Sequence, residues 1–408
     1  MVSALPSIAR ADTVTDWNLL MEQTVLVAPT NPNRQTRWGA ITQLAVFEAV
    51  NAIEGDYEPY LGGLIVAPDG ASVDAAVIAA AHRTLTTLRP SSAATLDPLR
   101  EAALAAIPDG QAKTDGIQVG EDAAAAMLIL RADDGSDDIV PYTPGTDPGY
   151  WQPQPPANTP PVLPGWGLVT TFGIESGSQF RLPAPPGLQT GKYAVDFNEV
   201  KLLGSLNSPF RPQDRTDVAK FYASASPVQV WNSSARQASA AQGKTLSENA
   251  RIFALLGMAM ADAAITCWDS KYHYGFWRPQ MAIQRADTDG NDLTDADPSW
   301  TPLITTPAHP SYASGHATVS GSARAVMERA YGKDGHDVTL THPAQPGIEL
   351  KYSSWDEITD DIDDARIYGG IHWRFDQEMG SHQGSLVGKY VLRNNLRSPD
   401  DEGDEGDE

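Results

Sequence analysis

The stretch 252–267 constrains this 408-residue chain more than any other, because it is the longest apolar run and has one carboxylate, Asp262, set inside it. It is rich in Ala and Met and shorter than the roughly 18–20 apolar residues of a membrane span. A capping box, Thr245-Leu-Ser-Glu248, stands just before it. The pattern predicts a long helix over 249–269, apolar on all sides. Such a helix is stable only when other elements surround it. The chain therefore needs a large helical core, and nothing in it is expected to span or bind a membrane.

Apolar spacing close to the i, i+3, i+4, i+7 template supplies those other elements. Helices are predicted over 16–27, 38–53, 72–88, 93–107 and 114–131, and again over 197–203, 215–223 and 228–241. Further helices follow over 316–331, 355–366 and 376–392, with a polar loop over 286–302. Between the two sets lies 133–192, dense in Pro, Gly and Thr, which excludes a helix or a central strand. A loop this long in a compact body is usually functional or a cover. It is read as an extended segment crossing the helical body and framing the mouth of a pocket. The predicted class is all-α, a helical-bundle core with long Pro/Gly-rich loops. One domain is expected over 12–396, with its active-site helices and loops in 249–392. An N-terminal extension, 1–11, precedes it, and a disordered acidic tail, 397–408, follows.

Apolar residues make up 41% and charged residues 20%, the profile of an ordered globule. A net charge of −23 repels nucleic acid and anionic membranes. The one cysteine, Cys267, excludes an internal disulfide and reads as an inert core residue. Ala9-Arg-Ala11 resembles a signal-cleavage site, so export stays an open expectation.

Against this acidic background three cationic segments stand out. The first is Lys271-Tyr-His-Tyr-Gly-Phe-Trp-Arg278-Pro279, whose two cations lie two helical turns apart and could share a face. Pro279 should push Arg278 into extended geometry and end the helix. The second is Pro310-Ser-Tyr-Ala-Ser314-Gly315-His316, a Ser-Gly turn at the start of a helix, where free amides and partial positive charge suit an anion. The third is Arg366-Ile-Tyr-Gly-Gly-Ile-His372, in which the glycine pair breaks the helix and resets the phase between Arg366 and His372. Each segment alone has a plain reading: a solvated basic face, a Ser N-cap, a hydrogen-bonded core histidine. Together they describe a pocket for a tetrahedral oxyanion with acid–base groups.

Two other motifs fail. Ala238-x4-Gly243-Lys244-Thr245 lacks the first glycine of a P-loop and no buried strand precedes it. Asp287-Thr-Asp-Gly-Asn-Asp292 resembles a calcium loop but has its glycine at the fourth place and no Glu at the twelfth.

In this order the three segments resemble the signature of the vanadium-dependent haloperoxidase and type 2 phosphatidic acid phosphatase superfamily: Lys-x6-Arg-Pro, Pro-Ser-Gly-His, Ser-Arg-x5-His. The first part is complete here. Ala313 and Ala365 replace flanking residues of the other two, and the anion ligands are kept. The resemblance extends to 249–269 and to the region from Thr36-Arg37 to Ala49-Val-Asn-Ala52. It implies that His372 coordinates vanadium, that Lys271, Arg278, Arg366, Ser314 and the Gly315 amide bind vanadate oxygens, and that His316 is the acid–base residue. It implies vanadate as cofactor, with phosphate able to occupy the same site. Hydrogen peroxide, halide and a small organic molecule would be the reactants. His309 occupies the position held by Phe in fungal chloroperoxidases and His in algal bromoperoxidases, which suggests bromide or iodide rather than chloride. Trp268 and His273 are further candidates, though aromatic packing explains both. The same pocket could run phosphatase chemistry through a phosphohistidine on His372, or only bind an oxyanion; retention of both histidines argues against the last. Large helical faces in the first third could support a homodimer.

Overall fold

The computed structural model describes residues 12–155 and 157–399. The extension 1–11 with its Ala9-Arg-Ala11 motif, and the acidic run 400–408, lie outside the described residues. Among those described, thirteen α-helices run in the order α1 (Thr13–Val25), α2 (Pro32–Glu54), α3 (Val73–Leu88), α4 (Ala93–Ala105), α5 (Gln111–Leu130), α6 (Gly191–Leu203), α7 (Gln213–Ser224), α8 (Pro227–Gln242), α9 (Leu246–Tyr274), α10 (Pro279–Gln284), α11 (Gly315–Tyr331), α12 (Trp355–Tyr368) and α13 (Arg374–Asn394).

The axis of the molecule is α9. The Thr245–Glu248 capping box opens it, as the sequence predicts, and Gly275 in the left-handed region (φ 59°) closes it. It is the one described helix apolar and long enough to cross a membrane by length and composition, and 94% of that stretch is buried inside the protein. Helices α2, α11 and α13 pack directly on it. On one side α2, α3 and α5 form a layer; a Cβ at Gly120 of α5 would lie 2.2 Å from the Ala76 carbonyl of α3. On the other side α11 and α13 run parallel at close range. A Cβ at Gly384 would lie 2.0 Å from the Thr318 carbonyl, and one at Gly388 2.5 Å from that of Ser322. Only glycine permits such an approach of two backbones.

Two elements depart from the expectation. An antiparallel hairpin, β1 (Asp334–Thr341) and β2 (Glu349–Ser354), joins α11 to α12, with Val338, Leu340 and Tyr352 turned into the core. Gly332 just before β1 and Gly335 within it read as helix-ending punctuation, and only a few positions of the two strands are apolar, so the alternation was hidden. The short helix α10 follows Arg278 directly and was also not anticipated; Pro279 at its first position pre-sets the helical backbone angle.

The Pro-rich segment crosses the body as expected and is tied down by its backbone. Asp262, fully buried in α9, accepts from the amides of Phe172 (2.7 Å), Gly173 (2.7 Å) and Ile174 (3.1 Å). Arg131 lies 3.8 Å over the Phe172 ring and donates to the Thr171 carbonyl at 2.9 Å. Further along, Val162 offers its carbonyl to Tyr272 Oη (2.7 Å) and Trp268 Nε1 (3.3 Å), while its amide donates to the Ala308 carbonyl at 2.9 Å. The odd carboxylate in the apolar run thus holds the irregular segment onto the core helix. In the calcium-like loop, Asp289 spends its carboxylate on the Asn291 amide and the Thr294 hydroxyl, closing a turn.

Candidate active site

Three segments separated in sequence meet where α9 ends, α11 begins and α12 turns into α13. Lys271 sits in the last turn of α9 and is fully buried; its Nζ donates to the carbonyls of Pro310 (2.9 Å) and Ser311 (2.7 Å). Lys271 and Arg278 do not share a helical face as their spacing suggests. The left-handed Gly275 stops the helix between them, and Arg278 stands beyond it in extended geometry (φ −86°, ψ 155°). They converge because the chain turns back, which places the guanidinium at the opposite wall.

That guanidinium is fully buried and heavily used. Nε donates to the His309 carbonyl (2.9 Å), Nη1 to the Ile371 carbonyl (2.8 Å) and to His372 Nε2 (2.9 Å), and Nη2 to His309 Nδ1 (2.9 Å). Arg366 comes from the last turn of α12; its Nη1 donates to the Tyr222 carbonyl at 3.1 Å, while its buried Nε has no partner in the protein. The Gly369-Gly370 pair ends α12, with Gly370 at φ 78°, so His372 leaves the helical phase as anticipated.

His372 is the centre of the arrangement. Its Nδ1 lies 2.7 Å from Asp376 Oδ2, and its Nε2 takes a hydrogen bond from Arg278. A guanidinium can only donate and a carboxylate only accept. The tautomer is therefore fixed: the proton is on Nδ1, and the Nε2 lone pair faces the cations. Asp376 also accepts from Ser311 Oγ and from the Trp373 amide (3.2 Å), and its main-chain carbonyl takes the Ser314 amide at 3.0 Å. It thereby orients the imidazole and fixes the start of α11 together.

Ser314 caps α11 through its side chain, and Gly315 and His316 open the helix, where no earlier turn supplies acceptors for their amides. A Cβ on Gly315 would come 3.2 Å from Trp268 Cζ3, so the glycine lets the indole lie against the pocket floor. His309 packs against Trp268 with ring centroids 4.9 Å apart. His309 and His316 are partly exposed, at the mouth. His273 is not brought to the site; it projects outward beside Tyr274.

Electrostatics single out what this pocket fits. Burial presses Arg278 down to about 10 against the pull of Asp376; burial and then repulsion from Arg278 press Arg366 to about 9, and burial above all pushes Lys271 in the same direction. Burial and the same cations hold His309, His316 and His372 well below the usual histidine range, so all three are neutral near pH 7. Asp376 is the carboxylate facing these cations. It is pushed upward by desolvation against the pull of Ser311 and Lys271. Three buried cations against one carboxylate is an unfavourable excess of charge in a dry site. A tetrahedral oxyanion would relieve it, and the unpaired Nε of Arg366, the amides at the start of α11 and His372 Nε2 are the groups that would hold it. Vanadate and phosphate both fit these residues.

Of the ten residues singled out from the sequence as site candidates, nine come together here, Trp268, Lys271, Arg278, His309, Ser314, Gly315, His316, Arg366 and His372, and His273 does not. Three participants were missed. Asp376 was readable from its four-residue spacing to His372, the reach of one helical turn. Ser311 and the Tyr222 carbonyl carry no sequence signal, because both contribute through tertiary placement.

The family model for the VCPO second helical-bundle domain matches residues 251–400, a span that holds every residue of the pocket except Tyr222. The vanadium chloroperoxidase of Curvularia inaequalis is 26% identical over 277 residues, covering 51% of this chain and 45% of that protein. The chain thus spans about half the length of the curated relative it matches. Among solved structures, the first bacterial vanadium-dependent iodoperoxidase superposes with a TM-score of 0.82 at 24% identity, over 95% of this chain and 96% of that one. An apo-type bacterial vanadium-dependent chloroperoxidase superposes with a TM-score of 0.76 at 16% identity, over 95% and 99%. Residues 251–400 match the VCPO second helical-bundle domain, and the chain as a whole carries the helical fold of the vanadium haloperoxidases.

Proposed function

We propose that this chain is a vanadate-dependent haloperoxidase that oxidises halide with hydrogen peroxide to a hypohalous-acid species, which then halogenates small organic substrates. The observation that carries the reading is the fixed His372 tautomer, whose Nε2 lone pair faces a buried excess of three cations. In this reading Lys271, Arg278, Arg366, the Ser314 hydroxyl and the Gly315 amide would hold the vanadate oxygens, and His372 Nε2 would be the vanadium ligand. Bound vanadate supplies the Lewis-acid centre at which peroxide becomes open to attack by halide.

The chain's own residues do the rest. Arg serves well around a charged oxyanion because it donates in a fixed fork and stays protonated. His316, neutral and at the mouth, takes a proton from incoming peroxide and later returns it. The Lys271 ammonium polarises a peroxide oxygen. In the net reaction halide and hydrogen peroxide take up one proton and give hypohalous acid and water: the O–O bond breaks and the halide loses two electrons.

His309 extends the proposal to halide choice. It puts a polar, neutral imidazole on the Arg278 guanidinium, where bromide or iodide is expected to be favoured over chloride. The similar proteins include both a chloroperoxidase and an iodoperoxidase, so this choice rests on His309 rather than on them.

The test incubates the protein with orthovanadate and supplies hydrogen peroxide with bromide, iodide or chloride and a chromogenic acceptor. Vanadate-dependent halogenation that phosphate suppresses is the expected result, with chloride the poorest halide. Absence of halogenation, together with phosphate-ester hydrolysis that vanadate inhibits, would assign the pocket to phosphatase chemistry instead.

A further inference from the structure

Beside the pocket, a second set of buried polar groups has no role in the chemistry above. Gln377, in the first turn of α13, is fully buried, and neither its amide oxygen nor its amide nitrogen has a partner in the protein. Among the described residues it is the one side chain orphaned at both atoms. One helical turn further on, Ser381 Oγ donates to Asp363 Oδ2 at 3.3 Å, and the other oxygen of Asp363 is buried and unpartnered. One turn along α12 from Asp363 stands Arg366, whose Nε is also orphaned inside the anion pocket.

The packing of the helices places these groups in one seam. A Cβ on Gly321 of α11 would lie 2.5 Å from the Ser381 carbonyl, and one on Gly380 3.0 Å from the Ser314 carbonyl. Gln377, a turn before Ser381, is thereby level with the first turn of α11, where His316 faces Arg366. The outer end is partly exposed at Ser381 and Asp363, on the acidic face of α12 that also carries Asp360 and Asp364. An apolar isostere would serve packing better than a Gln with nothing to bond, since a buried unpaired amide costs about 1–3 kcal/mol. Ordered water is the ordinary way such groups are satisfied.

We propose that the seam between α11, α12 and α13 holds ordered water and conducts protons between solvent and the anion pocket, with Asp363 at its outer end and Gln377 holding its internal waters in line. This rests on the haloperoxidase reading, which requires one proton per turnover and leaves its supply open. Gln accepts at one atom and donates at the other, so it aligns neighbouring waters and the proton passes from water to water beside a neutral side chain. Asp363 suits the outer end: desolvation, with repulsion from Asp360 and Asp364, raises it to about 7 against the pull of Ser381 and Arg374. It can therefore exchange protons near neutrality.

Two measurements test this. A high-resolution crystal structure of the wild-type protein with phosphate should show waters bonded to both amide atoms of Gln377 and to Asp363 Oδ1; a dry seam would overturn the proposal whatever the enzyme does. In the vanadate-loaded enzyme, Gln377→Met should lower kcat about tenfold, within the range of proton-transfer contributions, with vanadate affinity within twofold of wild type. Asp363→Asn should remove the pH limb near 7, and small buffer acids should restore its rate. Gln377→Met should also melt no lower than wild type, which separates a transport role from a structural one. Unchanged kcat and pH profile in both variants would refute the conduction. Wild-type protein with a wet seam but no halogenation would defeat the haloperoxidase reading and leave the seam standing on its waters.

Discussion

Asp376→Asn separates two duties that a single carboxylate performs. Oδ2 takes the His372 Nδ1 proton at 2.7 Å, the Ser311 hydroxyl and the Trp373 amide, while the carboxylate charge offsets three buried cations. Asn keeps the shape and removes the charge. If its oxygen stays at Oδ2, the amide nitrogen falls where Oδ1 already has no partner. If the amide turns over, it donates to His372 Nδ1, moves the ring proton to Nε2 and removes the lone pair. Either outcome weakens His372 as a ligand, and lost outer partners of a metal-binding histidine typically cost 10–100-fold in affinity, about 1.4–2.8 kcal/mol. The cations left without their carboxylate should destabilise the anion-free protein by about 3–5 kcal/mol, as when one partner of a buried pair is removed. Phosphate needs only charge and donors, so its binding should hold or tighten. The assay is thermal unfolding with and without phosphate, beside calorimetric titration with orthovanadate and with phosphate. Vanadate affinity should fall and the stabilisation by phosphate should grow. If both anions weaken by the same factor, or neither changes, the lone-pair argument for His372 is wrong.

Other consequences are direct. His372→Ala should abolish vanadium coordination and halogenation; a variant that still binds vanadate stoichiometrically and halogenates would break the assignment of roles. Gly384→Ala sets a methyl 2.0 Å from the Thr318 carbonyl, and overpacking of about 1–3 kcal/mol or more should lower the melting temperature by several degrees. Asp262 has a folded pKa raised to about 6 by burial, above its ordinary value of 3.8. The folded state then binds the proton more tightly, so this group's contribution to stability is fully present below pH 4 and is lost as pH rises through about 6. Asp262→Asn should flatten that part of the stability–pH curve, read as the difference in melting temperature between variant and wild type from pH 4 to 7; a parallel offset would refute it.

Much of the pocket was legible because its residues sit at helix boundaries that the sequence marks with Pro, Gly and Ser. The capping box at Thr245, the Ser314 cap and the glycine pair before His372 each fixed where a side chain would emerge. The shared helical face for Lys271 and Arg278 failed because Gly275 ends α9 between them, and spacing alone assumes an unbroken helix. The hairpin escaped because glycines stand before and within its first strand and its apolar positions are few. Gln377 was unreadable, since a glutamine on a predicted helix gives no sign of whether it meets water or the interior. Asp262 was seen as an oddity in an apolar run, but its purpose depends on amides about ninety residues away.

The way Asp262 and Val162 hold the crossing segment bears on how such a protein can diversify. Its ties to α9 and to the 308 loop run largely through main-chain amides and carbonyls of the segment, which every residue but proline possesses in full, with the Arg181–Asp269 ion pair (2.6 Å) as a side-chain tie beside them. The exposed side chains of 133–192 can therefore be exchanged without loosening the grip on the core helix, while Trp151, Trp166, Phe172 and Leu182 stay with the core they are buried in. The protein thus has a replaceable awning over a fixed reaction chamber, and selection for new substrates can rewrite the awning while the chamber is inherited unchanged.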